Sequence, residues 1–174
     1  MLLVCSLTRH IAKESPRVRT RVSIPRKQLT IVMAEDSPDD RSLMRQAFQE
    51  SHLLWRVHIV KDGEELLDYL YHRGQYSERA IAPRPDLILL DLFLPKLNGI
   101  EAIQAIKADP NLRRIPIVML TSSRAEEDIR RSYELGASSY LAKPATFELL
   151  VEAVNTLGEY WFDIVELPPA NTYE

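Results

Sequence analysis

From residue 29 onward the apolar positions alternate between two kinds of block. Residues 30–35, Thr-Ile-Val-Met-Ala-Glu, form a short apolar run ending in acids and read as a buried strand. Ser37 and Pro38 then open a helix, the serine as N-cap and the proline at the first helical position. Leu43, Met44, Ala47 and Phe48 give it an apolar face. Residues 55–60 predict a second strand, and Asp62-Gly63 turns the chain into a helix carrying Leu66, Leu67 and Leu70. The polar stretch 72–85, with Gly74, Pro83 and Pro85, reads as a loop. Residues 86–91, Asp-Leu-Ile-Leu-Leu-Asp, are apolar between two acids and predict a strand covered on both faces. Asn98-Gly99 opens a helix with Ile100, Ile103 and Ile106, closed by Pro110 and Asn111. A fourth strand follows over 115–121 and a charged helix over 125–135, with Gly136 where a C-terminal cap belongs. Residues 139–142 make a short fifth strand, and Phe147, Leu150, Val151, Val154 and Leu157 recur at helical spacing. Five strands alternating with five helices predict an α/β domain with a parallel sheet covered on both faces.

Charge divides the chain. Residues 1–28 carry seven Lys/Arg against one Glu, net +6, whereas the remainder carries 15 against 24, net −9. The expected organisation is a basic, disordered extension over 1–28, a folded domain over 29–158 and a C-terminal tail over 159–174. The extension has no sustained period and too little apolar surface to offset its ordering entropy. Its acid-poor stretch 9–27 has something of a transit peptide, but reads more simply as a disordered tail or as translation from an upstream start. An acidic body argues against general nucleic-acid binding, and no apolar run approaches the ~18 residues of a membrane span. The one cysteine, Cys5, permits no internal disulfide, which fits a reducing cytoplasm.

In an open α/β sheet, ligands bind at the carboxyl ends of the strands. Strand one ends at Glu35-Asp36, strand three at Asp91 and strand four at Thr121, while Lys143-Pro144 follows strand five. Taken singly, each has an ordinary reading: helix-start acids, a loop acid, a solvated lysine. Together, at the ends of successive strands, they make a site. Three converging carboxylates repel unless a cation joins them, and oxygen ligands suit Mg²⁺ or Mn²⁺. His10, His52, His58 and His72 show no metal spacing, so zinc is not expected. A carboxylate can act as nucleophile and form an aspartyl-phosphate. Phosphoryl transfer demands positioning and charge neutralisation, which the cation, Lys143 and the Thr121 hydroxyl would supply. Asp39 and Asp40 read as first-turn acids favoured by the helix dipole.

The segment Asp91-Leu-Phe-Leu-Pro-Lys-Leu-Asn-Gly99 resembles the phosphoacceptor motif of response-regulator receiver domains. Thr121-Ser122 and Lys143-Pro144 resemble that family's switch hydroxyl and invariant lysine, 30 and 52 residues after Asp91. Tyr140 stands where the family has its switch aromatic. The resemblance covers roughly residues 29–158. It implies the flavodoxin-like sheet order 2-1-3-4-5 and Asp91 as phosphoacceptor. It further implies Asp36, Asp91 and the Phe93 carbonyl as direct metal ligands, Glu35 as a ligand through water, and a cis bond before Pro144 that aims the lysine. The implied partner is a histidine kinase. The protein would be no enzyme beyond promoting its own phosphorylation and dephosphorylation.

Only about 15 residues follow the fifth helix, so a stand-alone regulator signalling through protein contacts is expected. The 72–85 loop and the tail 160–168 are similar to the single-domain regulators that partner bacterial and cyanobacterial phytochromes. Trp161, Ile164 and Val165 continue the helical period past the usual end of a receiver, with Tyr160 and Phe162 beside them. They are expected to lie uncovered in a monomer and to form a homodimer contact; a tail folded back on its own helices is the alternative. Two other functions stay open. A receiver fold can dock without being phosphorylated. A haloacid-dehalogenase-like phosphatase also uses a strand-end Asp, but that family wants a second Asp where this chain has Phe93.

Overall fold

In the computed structural model the described residues are 28–51 and 53–168; of Phe162 only the backbone is described. The basic extension over 1–27, His52 and residues 169–174 lie outside them. The strands are β1 (Leu29–Ala34), β2 (Trp55–Val60), β3 (Leu87–Leu90), β4 (Ile117–Thr121) and β5 (Ser139–Ala142). They alternate with helices α1 (Pro38–Glu50), α2 (Gly63–Leu70), α3 (Gly99–Ala108), α4 (Glu126–Glu134) and α5 (Phe147–Gly158). All strand pairs are parallel, in the order β2-β1-β3-β4-β5. This is the expected flavodoxin-like arrangement.

Alternation along each strand divides the interior into two cores. Ile31, Met33, Leu87, Leu89, Val118 and Leu120 face α1 and α5. Val32, Ala34, Ile88, Leu90, Ile117 and Met119 face α2 and α3. With both faces covered, the central strands are apolar throughout, which is why they read as unbroken runs. β4 starts two residues later than its apolar run because Pro116 has no N–H for the ladder; its carbonyl still accepts from Ile88 at 3.0 Å.

The helix starts are fixed by their caps. Ser37 Oγ accepts from the Asp40 amide, with Pro38 in the first turn. Asn98 and Glu101 form a reciprocal capping box at α3. A short 3₁₀ turn, Gly74–Tyr76, interrupts the long loop after α2.

The tail departs from expectation. After α5 the chain continues as a wider π-helical turn, Glu159–Ile164, closed by a bond from the Val165 amide to the Tyr160 carbonyl at 3.0 Å. This turn carries Trp161 into the core beneath α1 and α5, where it is 7% exposed, and Val165 and Leu167 pack beside it. The expectation that a monomer cannot cover Trp161 is therefore corrected: the tail supplies the missing layer itself. Tyr160 and Ile164 point outward.

Candidate functional site

The loop after β3 is pressed tightly into place. A Cβ on Gly99 would overlap the Asp91 carbonyl, so only glycine lets α3 start this close to the strand end. The Gly99 amide donates to the Leu92 carbonyl at 2.9 Å. At the other side of the loop, Lys96 holds a left-handed backbone (φ 65°) and reaches Asp62, the buried N-cap of α2, at 2.7 Å. Burial would raise the Asp62 pKa, but the Lys96 ammonium and the Glu65 amide outweigh it and hold the carboxyl below its usual range. The clamp ties the loop bearing Asp91 to the turn after β2. In the sequence Asp62 reads only as a turn residue, so nothing there announced it.

Asp91 is buried, with its amide on the Ala34 carbonyl at 3.1 Å. Glu35 is equally buried, its amide on the Val60 carbonyl at 3.0 Å. Asp36 is exposed at the mouth. Carboxylate oxygens of Glu35, Asp36 and Asp91 lie within 4.8 Å of one another, so one hard cation could touch all three. This donor set, oxygen without nitrogen or sulfur, fits Mg²⁺ or Mn²⁺. The Phe93 ring, next to the trio in sequence, is exposed.

Lys143 closes the site from β5. Its amide donates to the Thr121 carbonyl at 2.8 Å, extending the β4–β5 pairing by one residue. Its Nζ sits 2.6 Å from Asp91 Oδ2, 2.6 Å from Glu35 Oε2 and 2.8 Å from Asp40 Oδ2. Burial would lower the lysine's pKa; its hydrogen bonds to Asp40, Asp91 and Glu35 outweigh that and raise it. Burial pushes the Glu35 carboxyl up, and Lys143 only partly offsets this.

Two readings of the sequence change here. No peptide bond among the described residues is cis, so the expected cis bond before Pro144 is not found. The anchored Lys143 backbone already delivers the ammonium to Asp91 through the favoured trans bond. Asp40, read as a first-turn acid, contacts Lys143 directly. First-turn acids are common on helices, so its sequence position carried no signal.

Thr121 is fully buried at the end of β4, and its Oγ1 accepts from the Ser123 amide at 3.4 Å, a long contact. The half-buried Tyr140 donates from its hydroxyl to the Ser123 carbonyl at 3.2 Å. Both residues thus meet the loop between β4 and α4.

Comparison with known proteins agrees with this geometry. The response regulator receiver domain model matches residues 31–155. The chain is 39% identical over 140 residues to response regulator Rcp1 of Synechocystis sp., covering 80% of this chain and 93% of that protein. Among solved structures, the phosphorylated cyanobacterial phytochrome response regulator RcpA superposes with a TM-score of 0.76 at 40% identity, covering 82% of this chain and all of RcpA. The Mn²⁺-bound form of Rcp1 gives 0.73 at 38% identity, over 81% of this chain and 99% of that one. With its sheet order, its strand-end acids and its lysine in place, this chain belongs to the response regulator receiver domain family.

Proposed function

We propose that this protein is a signalling switch that accepts a phosphoryl group from a histidine kinase onto Asp91, and that a phytochrome-like protein is the kinase. The observation that carries the reading is the Lys143 ammonium, 2.6 Å from the buried Asp91 carboxylate, beside the Glu35–Asp36–Asp91 trio. The kinase reading draws on the relatives, since RcpA is described as a phytochrome response regulator.

The chemistry follows from the chain's own groups. An Asp91 oxygen attacks phosphorus, the P–N bond of the donor phosphohistidine breaks, and the leaving imidazole takes up a proton. Lys143 balances charge on the phosphoryl oxygens, and the Thr121 hydroxyl donates to one of them. A divalent cation held by Asp36, Asp91 and the Phe93 carbonyl, with Glu35 acting through water, would neutralise the remaining charge. Once Thr121 moves toward the phosphoryl group, Tyr140 follows inward and reshapes the β4–α4 loop, so the output is a changed protein contact. Such a switch belongs in the cytoplasm, where histidine kinases present their phosphohistidine.

The exposed side chains flanking a groove of about 580 Å³ between β5 and α5, among them Leu149 and Tyr160, favour a homodimer through this face. Ile164 extends the exposed apolar surface of the tail. Trp161 lines the groove floor but is 7% exposed, so its own chain already covers most of it.

Phosphorylation by a small phosphodonor is the test. With Mg²⁺ the wild type gains one acid-stable, base-labile phosphoryl group, and Asp91→Asn gains none. Equal labelling of the variant removes Asp91 from the role. Absence of any acyl-phosphate leaves a docking module, and turnover of a phosphate ester points to a phosphatase.

A further inference from the structure

Among the described residues, Asp40 is the one carboxylate on Lys143 that the phosphotransfer reading leaves without a role. The other two, Glu35 and Asp91, belong to the trio whose oxygens converge within 4.8 Å; Asp40 does not. As the chain stands, one ammonium occupies two of the three carboxylates a divalent cation would use. An ammonium and a divalent cation on the same carboxylates repel at close range in a partly buried site. That repulsion favours a shift of the lysine, and a shift needs somewhere to go.

Asp40 offers that place. It sits in the first turn of α1, its amide fixed on the Ser37 cap, and its side chain is 37% exposed at the rim of the site. Lys143, 19% exposed, already touches it while bound to the two buried acids. A short outward swing of a flexible four-carbon side chain leaves the ammonium on Asp40 and clears Glu35 and Asp91.

We propose that Asp40 is a positioning residue that draws Lys143 off the cation-binding carboxylates, so that the lysine and a divalent cation share the site instead of competing for it. The inference rests on reading Glu35, Asp36 and Asp91 as a divalent-cation site. Without Asp40, the lysine has only the trio's own oxygens to hold and keeps them against the cation.

The test is Mn²⁺ binding by the full-length, unphosphorylated protein, with free Mn²⁺ counted by its EPR signal. Asp39→Asn is the control: it removes the same charge from the same helix turn, at an exposed residue outside the ion pairs Lys143 makes among the described residues. Asp40→Asn should weaken Mn²⁺ binding about fivefold, the scale of one partly exposed ion pair, and Asp39→Asn by less than about twofold. In a Lys143→Ala background the two variants should become indistinguishable, because no lysine remains to be drawn away. Equal effects in the wild-type background overturn the proposal, as does an extra effect of Asp40→Asn that survives without Lys143. A wild type that takes up no Mn²⁺ overturns the cation site itself, a separate and recognisable failure.

Discussion

At Gly99 a single hydrogen in place of a methyl group sets the distance between α3 and the Asp91 carbonyl. Gly99→Ala must push the helix start away from the strand end, and overpacking of this kind costs about 1–3 kcal/mol. The urea midpoint should fall accordingly; an unchanged midpoint would show that the loop has room. His58 makes a second residue-scale case. Burial, then the Arg56 charge, lowers its pKa, and its buried Nε2 has no hydrogen-bond partner among the described residues. A histidine with a lowered folded pKa contributes stability above the unfolded value of about 6.5 and loses it as pH falls from there through the folded pKa. Stability should therefore decline between pH 7 and 5.5, less steeply in His58→Gln; parallel slopes would clear His58. Asp91, Thr121 and Lys143 were legible in the sequence because a strand end gives a polar residue an address. Asp40 and Asp62 were not, because their meaning comes from a lysine 103 residues away in one case and 34 in the other.

Among the elements, apolar periods located the five strands and most of the α-helices, since each buries a face at its own spacing, while α4 was marked by its charge and Gly136 and the short 3₁₀ turn lay unread in the 72–85 loop. The end of the last helix was harder. An apolar period running on to Trp161 and Ile164 cannot say whether a partner or the same chain covers it. The widened turn answers by sending Trp161 inward and Ile164 outward. Truncation of Trp161 to alanine should cost about 3 kcal/mol, at the low end for a large aromatic side chain. Its indole Nε1 is buried with no partner among the described residues, so Trp161→Phe gives up packing but also removes an unsatisfied donor. Chemical denaturation should place Trp161→Phe within about 1 kcal/mol of the wild type. A phenylalanine variant as damaged as the alanine variant would mean that the indole N–H is satisfied in solution.

For the molecule as a whole, the site at one end of the sheet connects to a face at its side. Thr121 and Tyr140 meet through Ser123, and Tyr140 lies on β5, the strand that closes the sheet beside α5. Packed interiors switch between discrete arrangements, so a change at Asp91 can be read along β5. The same face carries the exposed Leu149 and Tyr160, with Ile164 in the tail beyond them. A two-fold contact would bury each of these twice, and two-fold pairing is the commonest symmetry among soluble oligomers. Sedimentation of the wild type should then show a concentration-dependent dimer. Tyr160→Asp with Ile164→Asp should abolish it, because four carboxylates would be brought together in an apolar contact. Both positions are exposed, so the double variant should keep the wild-type melting temperature at low protein concentration. Thr121→Ala should still accept the phosphoryl group, but its dimer affinity should not respond to phosphorylation. A wild type that sediments as a monomer at micromolar concentration, phosphorylated or not, would remove the dimer and leave this face to a different partner.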